Sequence, residues 1–230
     1  MVYKFSPSSL NLLKECPRCF WLHFNKGIRR PRGIFPSLPS GMDRILKEHF
    51  DAFRDKGQLP PELAKLKGDI ELFDDAELLE EWRNNFRGIQ WEDKDGNRLR
   101  GAVDNILQRG KKLIVLDYKT RGYPLKEDTA GHYQDQMDIY NFLLRKNGHK
   151  TENYAYLLFY HPDKARKKGD IAFHTDLVKM KTSVKNAEKI FNGALALLEG
   201  DMPEHAEKCE FCKWAEESQL GSKYKQSTLD

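Results

Sequence analysis

Residues 101–122 read GAVDNILQRGKKLIVLDYKTRG, and this stretch decides the fold. Residues 113–116 form an apolar run that predicts a buried strand, and the run leads directly into Asp117 and Lys119. Because side chains alternate along a strand, Asp117 and Lys119 are predicted to lie on the same side of the sheet. A short turn separates this strand from the preceding one, which carries Asp104, so the two strands are predicted to be neighbours. The stretch therefore predicts two carboxylates and one ammonium group together at one sheet edge.

Such a group has an obvious chemical use. Two carboxylates within reach of each other repel unless a cation lies between them, and a hard ion such as Mg²⁺ prefers oxygen ligands. A bound divalent ion lowers the pKa of a water molecule and polarises a phosphoryl oxygen. Lys119 is a candidate for orienting the attacking water or for stabilising the charge that develops on the phosphate. Because the pattern D…DxK is short, three unrelated surface charges at strand ends are the alternative interpretation.

The hydrophobic pattern changes period along the chain and predicts both helices and strands. A loop is predicted over residues 29–40, and Ser40 with Asp43 resembles a helix-capping arrangement. Turns are predicted at Asp95-Gly96 and Arg109-Gly110. The predicted helices cover residues 8–15, 19–24, 42–56, 76–86, 129–147 and 183–199. The predicted strands cover residues 88–92, 98–108, 112–118, 154–160 and 170–178. This order favours one α/β domain with a mixed sheet.

The four cysteines form two CxxC pairs, one near each end of the sequence: Cys16, Cys19, Cys209 and Cys212. Two such pairs can complete a tetrahedral metal site, which would join segments about 190 residues apart (209 − 19). A zinc ribbon usually has a shorter spacer, so an iron–sulfur cluster, also held by four thiolates, is a further possibility. The spacing does not distinguish the two metals, and four unconnected buried or redox cysteines are the alternative interpretation.

Composition and charge set broad limits on the partners. The chain has 39 Lys and Arg against 35 Asp and Glu, a formal net charge of +4, which permits a nucleic-acid partner without arguing for one. No apolar stretch approaches the ~20 residues that span a bilayer, and the N-terminus lacks the form of a signal peptide. We therefore expect a soluble cytoplasmic protein with reduced thiols and no membrane partner.

Three motifs together resemble a known family. The run G-A-V-D-N-I-L…L-I-V-L-D-Y-K-T resembles the core signature of the PD-(D/E)xK nuclease superfamily. Residues 136–140, QMDIY, are similar to the QxxxY motif of its RecB-like branch, and Gln136 and Tyr140 are predicted to share a helix face. The segment S-P-S-S-L…C-P-R-C-F resembles the N-terminal part of RecB-like nucleases that carry an iron–sulfur cluster. These include the CRISPR-associated RecB-like exonucleases and the nuclease domain of AddB.

The resemblance implies a restriction-endonuclease-like α/β core, in which helices flank a mixed central sheet. It implies a single nuclease domain over residues 1–230, with the catalytic core at 87–180 and a helical insertion at 31–86. The terminal segments 1–30 and 200–220 would be joined by the cysteines. The implied activity is a Mg²⁺- or Mn²⁺-dependent DNA exonuclease that prefers single strands, with protein partners in CRISPR adaptation or DNA repair. The alternative is a non-catalytic DNA-binding or adaptor module with a nuclease-like fold and a structural zinc site.

The resemblance also implies roles for individual residues. Asp104 and Asp117 would bind the metal together with the backbone carbonyl of Tyr118, and Lys119 would be the catalytic lysine. Gln136 and Tyr140 would line the site and place the DNA strand, completing a catalytic set of Asp104, Asp117, Lys119, Gln136 and Tyr140. The aromatic candidates for stacking on bases are Trp21, Phe35, Tyr123 and Tyr133.

Two departures from the family pattern leave alternatives open. The family commonly has one N-terminal cysteine and three near the C-terminus, whereas this chain has two and two, so zinc is an alternative to a [4Fe–4S] cluster. Many relatives also supply a histidine or glutamate to the metal site from an early, glycine-led helix. Here Gly41 opens such a helix, but Ile45 stands where that histidine is often found. The candidates to replace it are Asp43, Glu48 and His49.

Overall fold

The structure is a computed structural model that describes residues 1–226, with side chains described as far as residue 218. The last four residues of the predicted domain lie outside the described residues. The helices are α1 Pro7–Glu15, α2 Pro17–Lys26, α3 Ser37–Arg54, α4 Ala76–Arg83, α5 Gln134–Lys146, α6 Val184–Glu199 and α7 Glu210–Gln226. The strands are β1 Lys4–Phe5, β2 Ile70–Leu72, β3 Ile89–Glu92, β4 Arg98–Gly101, β5 Asn105–Arg109, β6 Lys112–Thr120, β7 Tyr154–Ala165 and β8 Ile171–Lys181. Short 3₁₀ turns cover Pro61–Leu63 and Thr129–Tyr133.

The strands form two mixed sheets. The larger sheet has the order β2-β5-β6-β7-β8, in which β6 and β7 are parallel and the other neighbours are antiparallel. The smaller sheet has the order β1-β4-β3, with β1 parallel to β4. The mixed α/β fold is consistent with the restriction-endonuclease-like core that the sequence predicted.

The prediction of one strand over residues 98–108 was wrong, because the chain leaves one sheet and enters the other within that range. β4 ends at Gly101 and β5 begins at Asn105, and the two strands belong to different sheets. The intervening backbone turns toward α4, where the N–H of Val103 donates to the carbonyl of Trp82. As a result, Asp104 lies just before β5 rather than inside a continuous strand.

The start of α3 also differs from the prediction. The helix begins at Ser37, inside the predicted loop, and Pro36 at the N-cap makes no side-chain capping bond. The predicted capping by Ser40 was therefore wrong, since Ser40 and Asp43 both lie within the helix. The predicted helical insertion at 31–86 also contains β2, which forms one edge of the larger sheet.

The larger sheet is covered on both faces, which explains the four successive apolar residues of β6. One core cluster includes Leu113 and Val115 with α5, and the other includes Ile114 and Leu116 with α3. Both faces of the strand are thus buried, as is usual where helices cover a sheet on two sides. The apolar run ends where Asp117 and Lys119 reach the end of the sheet.

Among the described residues, no helix combines the length and the apolar character needed to span a membrane.

Candidate functional site

The pairing of β5 with β6 brings the two aspartates together. In this antiparallel pair Asn105 lies opposite Leu116, so Asp104, one residue before β5, reaches the level of Asp117. The backbone N–H of Tyr118 donates to Oδ2 of Asp104 over 2.8 Å, which aims that carboxylate across the strand end. The predicted proximity of Asp104 to the end of β6 is therefore observed.

Asp117 and Lys119 lie on the same face of β6, as their alternation predicts. Their side chains form an ion pair, and Asp117 is almost completely buried, with 1% of its surface exposed. The ammonium of Lys119 also lies 4.8 Å from the centre of the Tyr133 ring. We call Asp104, Asp117 and Lys119 the carboxylate site.

Gln136 and Tyr140 of α5 lie on one helix face, four residues apart, as predicted. The side-chain amide of Gln136 donates to the Tyr140 hydroxyl over 2.8 Å. Burial, together with the charges of Asp117 and Asp104, raises the pKa of Tyr140 well above its ordinary value, so this hydroxyl stays protonated. The backbone of Gly101 lies so close to the Tyr140 ring that a Cβ at this position would fall 2.7 Å from the ring.

The structure separates the three candidate residues of α3. The Asp43 carboxylate lies 2.8 Å from the Lys47 ammonium, which in turn lies 3.8 Å from Oδ1 of Asp104. Glu48 instead pairs with Arg44 at the surface, over 2.7 Å. His49 points toward Glu62 and packs against Phe50 and Phe53. Of the three candidates, Asp43 is the one linked to the carboxylate site.

The sequence analysis did not predict that Lys47 lies near the carboxylate site, although the spacing of Lys47 from Asp43 indicates part of its surroundings. It lies four residues after Asp43, the spacing at which oppositely charged residues on a helix pair. What the sequence lacks is any indication that this pair faces Asp104 rather than solvent. Asp43 also lines a pocket of about 200 Å³ between α3 and β6, together with Lys119 and Thr120.

Arg83 of α4 is a second residue that the sequence analysis missed. Its Nε donates to the backbone carbonyl of Asp104 over 2.8 Å, and its Nη1 donates to Asp51 over 2.7 Å. On the next residue, the Asn105 amide donates to the Tyr118 hydroxyl over 2.6 Å. These buried hydrogen bonds fix the backbone on both sides of the carboxylate site, so it is rigid before any ligand binds.

The carboxylate site is electrostatically strained in a way that a cation would relieve. Burial and the charge of Asp117 raise the pKa of Asp104 to about 7, despite the opposing charges of Lys119 and Lys47. Burial likewise raises the pKa of Asp117, although Lys119 opposes the shift. For Lys119, burial favours the neutral amine, but the charges of Asp117 and Asp104 outweigh it and raise the pKa.

The donor set of the carboxylate site fits a hard divalent cation. Two carboxylates converge there, and Oδ2 of Asp117 is buried and contacts the Lys119 ammonium. Such oxygen atoms are the ligands that Mg²⁺ and Mn²⁺ prefer. Asp43 lines the adjoining pocket together with Lys119 and Thr120.

A groove of about 620 Å³ lies between α1 and the start of α5, and its lining includes Asn11, Lys14, Tyr133 and Gln136. Two of these residues also contact the neighbourhood of the carboxylate site, since the Tyr133 ring lies by the Lys119 ammonium and Gln136 donates to Tyr140. The volume of the groove is in the range of ligand-binding clefts.

The four cysteines lie together and bring the terminal segments into contact. Their sulfur atoms all lie within 4.8 Å of one another, and all four residues are buried. The sulfur of Cys19 lies 3.6 Å from those of Cys209 and Cys212, and the Cys16 and Cys212 sulfurs are 3.9 Å apart. We call these residues the cysteine cluster, and the predicted joining of the two segments is observed.

The chemistry of the cysteine cluster suits metal binding. Burial raises the pKa of Cys19 and of Cys212, whereas in Cys209 hydrogen bonds from the Cys212 backbone and the other thiols outweigh burial and lower the pKa to about 7. The guanidinium of Arg30 lies 3.6 Å from the Cys209 sulfur, where it stabilises a thiolate. Four convergent sulfurs of this kind can hold one metal centre.

Comparison with known proteins identifies a family for the chain. No curated protein matches the chain. One solved structure, described as "Crystal structure of SSO0001", is similar with a TM-score of 0.44 and 14% sequence identity, over 92% of this chain and 84% of that chain. Residues 39–216 match the profile described as the PD-(D/E)XK nuclease superfamily, a range that includes the carboxylate site, α5 and the second cysteine pair. Because the match covers more than half of the sequence, the chain belongs to the PD-(D/E)XK nuclease superfamily.

Proposed function

We propose that this protein is a Mg²⁺- or Mn²⁺-dependent deoxyribonuclease that removes nucleotides from the ends of single-stranded DNA. The observation that carries the proposal is the convergence of Asp104, Asp117 and Lys119 at the end of β6. Nucleases hydrolyse phosphodiester bonds of nucleic acids, and a superfamily member with this residue set intact has the groups needed for that hydrolysis. We also propose a cytoplasmic location, where thiols stay reduced.

In this proposal Asp104 and Asp117 hold the divalent ion, with the Tyr118 carbonyl and Asp43 as further oxygen ligands. When bound, such an ion lowers the pKa of a water molecule and neutralises charge on the scissile phosphate. Lys119 acts as a positive charge, with its ammonium beside the Asp117 carboxylate and the Tyr133 ring. In this role it stabilises the charge that develops on the phosphate.

Gln136 and Tyr140 position the DNA strand. Because the Gln136 amide donates to the Tyr140 hydroxyl, the amide oxygen of Gln136 is left to accept a hydrogen bond from the substrate. The Tyr140 hydroxyl is protonated and can donate to a phosphate oxygen. A single strand can follow the groove past Tyr133, whose ring offers a surface for stacking a base. Exposed Phe35 and Tyr123 are further stacking candidates.

For the cysteine cluster we propose one tetrahedral ion, of which Zn²⁺ is the best supported. A single ion bound about 2.3 Å from each of four sulfurs places those sulfurs about 3.8 Å apart. Three of the six sulfur–sulfur separations are 3.6 to 3.9 Å and agree with that value, and all six are within 4.8 Å. A [4Fe–4S] cluster puts each thiolate on a different iron of a cube, which needs a wider arrangement. Metal analysis and the visible spectrum of anaerobically purified protein test this, since a broad visible band would support the cluster.

The test of the activity is degradation of end-labelled single-stranded DNA with Mg²⁺, Mn²⁺ or chelator. We expect Asp117→Ala and Lys119→Ala to lower the rate roughly 10³-fold, because both remove charge from the site of phosphate chemistry. Lys112→Ala is the matched control, since Lys112 lies at the other end of β6 and pairs with Glu152. Circular single-stranded DNA separates end-dependent from internal cleavage.

Equal activity in wild type and both variants would contradict the proposed centre. DNA binding without metal-dependent cleavage of single strands, double strands or RNA would instead support the non-catalytic module. Cleavage of the circle at the same rate as the linear strand would contradict the exonuclease assignment while leaving the metal-dependent chemistry in place.

A further inference from the structure

Two histidines and an aspartate on the β7–β8 ribbon form a compact group that the proposed nuclease mechanism does not use. His161 pairs directly opposite His174, and Asp176 lies two residues further along β8. Directly opposed residues and residues two apart share a face of the ribbon, so all three side chains lie on the same face. Their candidate ligand atoms all lie within 4.8 Å of one another.

The contacts within this group point ring nitrogens and carboxylate oxygens at a common centre. Nε2 of His161 lies 3.4 Å from Oδ2 of Asp176, and Nε2 of His174 lies 3.3 Å from Oδ1 of the same residue. The two imidazole rings are 5.1 Å apart and inclined by 38°. Both histidines therefore present the same nitrogen to the same carboxylate.

The surroundings of His161 suit a metal-binding imidazole. Its Nδ1 lies 3.3 Å from the backbone carbonyl of Pro162, which favours the tautomer that carries its proton on Nδ1 and donates to that carbonyl. A hydrogen bond of this kind fixes the ring orientation and leaves the lone pair on Nε2, as in many metal-binding histidines. His161 is buried, whereas His174 is 58% exposed, so the centre opens to solvent on one side.

The group lies where the ribbon leaves the sheet. The pairing of β6 with β7 ends at Thr120 and Tyr160, and beyond that point β7 pairs only with β8. An isolated two-stranded ribbon is marginally stable in water, so a link between β7 and β8 at its base would stabilise the ribbon. The tip that this link would hold carries four basic residues: Lys164, Arg166, Lys167 and Lys168.

We propose that His161, His174 and Asp176 bind one divalent transition-metal ion of the Zn²⁺ type, which fixes the base of the basic ribbon. Two imidazoles and a carboxylate are zinc ligands, and three protein ligands leave a fourth position for water. Nitrogen ligands also favour Zn²⁺ over Mg²⁺, in contrast to the oxygen ligands of the carboxylate site. This inference does not rest on the proposed nuclease activity.

The proposed ion is distinct from the one assigned to the carboxylate site. Lys119 pairs with Phe159, two residues before His161. Strand geometry therefore places the Cα atoms of Lys119 and His161 about 8 Å apart, with Asp117 further still. Asp117 pairs with Leu157, four residues before His161, so the Cα atoms of Asp117 and His161 are about 14 Å apart. One ion cannot bind side chains at that separation, so the two groups hold separate ions.

The test is a Zn²⁺ titration of the purified protein, with its cysteine cluster as isolated, followed by NMR of ¹⁵N-labelled histidine rings. One equivalent of Zn²⁺ is expected to shift the Nε2 signals of His161 and His174, and Mg²⁺ is expected to leave them unchanged. His174→Ala and Asp176→Asn are expected to weaken this binding at least tenfold, on the order seen when support of a metal site is lost. His132→Ala is the control, an exposed histidine 4.0 Å from Asp128.

Ring signals that stay unchanged at saturating Zn²⁺, or equal affinity in wild type and His174→Ala, would overturn the proposal and leave only a pair of His–Asp contacts. Since His174 is exposed, its variant is expected to fold even if a His161 variant does not. A thermal scan adds a second readout, because Zn²⁺ should raise the Tm of wild type and of His132→Ala by more than that of His174→Ala, which keeps the cysteine cluster alone.

Discussion

The carboxylate site takes its residues from one stretch of the chain, whereas the cysteine cluster joins its two ends. Asp104, Asp117 and Lys119 lie within 16 positions of one another and are brought together by a single strand pair. The cysteines lie on α2, at its N-cap, and around the start of α7. The first group depends on local pairing and the second on complete folding. We therefore expect the first to control chemistry and the second to control stability.

The largest expected effect is on the cysteine cluster. Cys19→Ser removes a buried sulfur that lies within 3.6 Å of two others. Because structural zinc contributes on the order of 10 kcal/mol of binding free energy to folding, we expect loss of the metal and a fall in Tm of more than about 10 °C. Metal content and thermal unfolding measure both.

Because the carboxylate site depends on local strand pairing, we expect the Cys19→Ser protein still to cleave DNA at low temperature, at a rate proportional to its folded fraction. Ser218→Ala on α7 is the control, since its hydroxyl is exposed and donates only to the carbonyl of Ala215. An unchanged Tm together with an unchanged metal content would show that the cluster does not hold the chain ends together.

At the carboxylate site, removing the charge of Asp104 is expected to change stability and cleavage in opposite directions. The folded-state pKa of Asp104 is about 7, against an ordinary value of 3.8. The folded protein therefore holds this proton more tightly, so its free energy of unfolding falls as pH rises from about 4 to about 7. Asp104→Asn cannot ionise and should avoid that loss, while cleavage falls by roughly 10³-fold.

The measurement is the Tm of wild type and Asp104→Asn from pH 4 to pH 8 without added divalent ion. The variant should gain on wild type as pH rises through this window, and added Mg²⁺ should narrow the gap by stabilising wild type alone. Parallel Tm curves would mean that Asp104 carries no such repulsion in the folded protein.

Much of the carboxylate site could be predicted because it follows from local rules. Strand alternation places Asp117 beside Lys119, and helical spacing places Gln136 beside Tyr140. The break between β4 and β5 could not be predicted, since residues 98–108 keep a strand-like pattern and only contacts with α4 and α5 turn the chain.

Other features depend on tertiary contacts that no spacing encodes. Arg83 reads as the end of a surface helix, yet it binds the Asp104 carbonyl. The two CxxC pairs predicted that the four cysteines bind a metal, but the sequence does not give the separations of their sulfur atoms, on which our proposal of a single ion rests. The choice among Asp43, Glu48 and His49 likewise required the orientation of α3.

A smaller effect is expected on α3, where it tests whether Asp43 supports the metal site. Asp43→Asn is expected to lower cleavage by about 10–100-fold at limiting Mg²⁺, because it removes a supporting oxygen of the metal site. Glu48→Gln is the control, since Glu48 lies on the same helix and pairs with Arg44 at the surface. The dependence of rate on Mg²⁺ concentration is the readout. An equal loss in both variants would indicate a general effect on α3 rather than a metal ligand.

The smallest effect concerns how closely α5 approaches the smaller sheet. In Gly101→Ala the new Cβ would lie 2.7 Å from Cε1 of Tyr140 and 3.0 Å from Cδ1 of Leu143, so the buried ring must move. Overpacking of this kind costs about 1–3 kcal/mol, and cleavage should fall because the Tyr140 hydroxyl is displaced.

Tm and cleavage rate are measured in Gly101→Ala alone and with Tyr140→Leu, which makes room for the methyl group. Gly193→Ala on α6 is the control, because nothing lies within 4 Å of its Cβ and alanine favours a helix. If the stability loss is as large with Tyr140→Leu as without it, the contact with the Tyr140 ring is not its cause. If Gly101→Ala also loses the metal bound by the cysteine cluster, the carboxylate site and the cysteine cluster do not behave as independent regions.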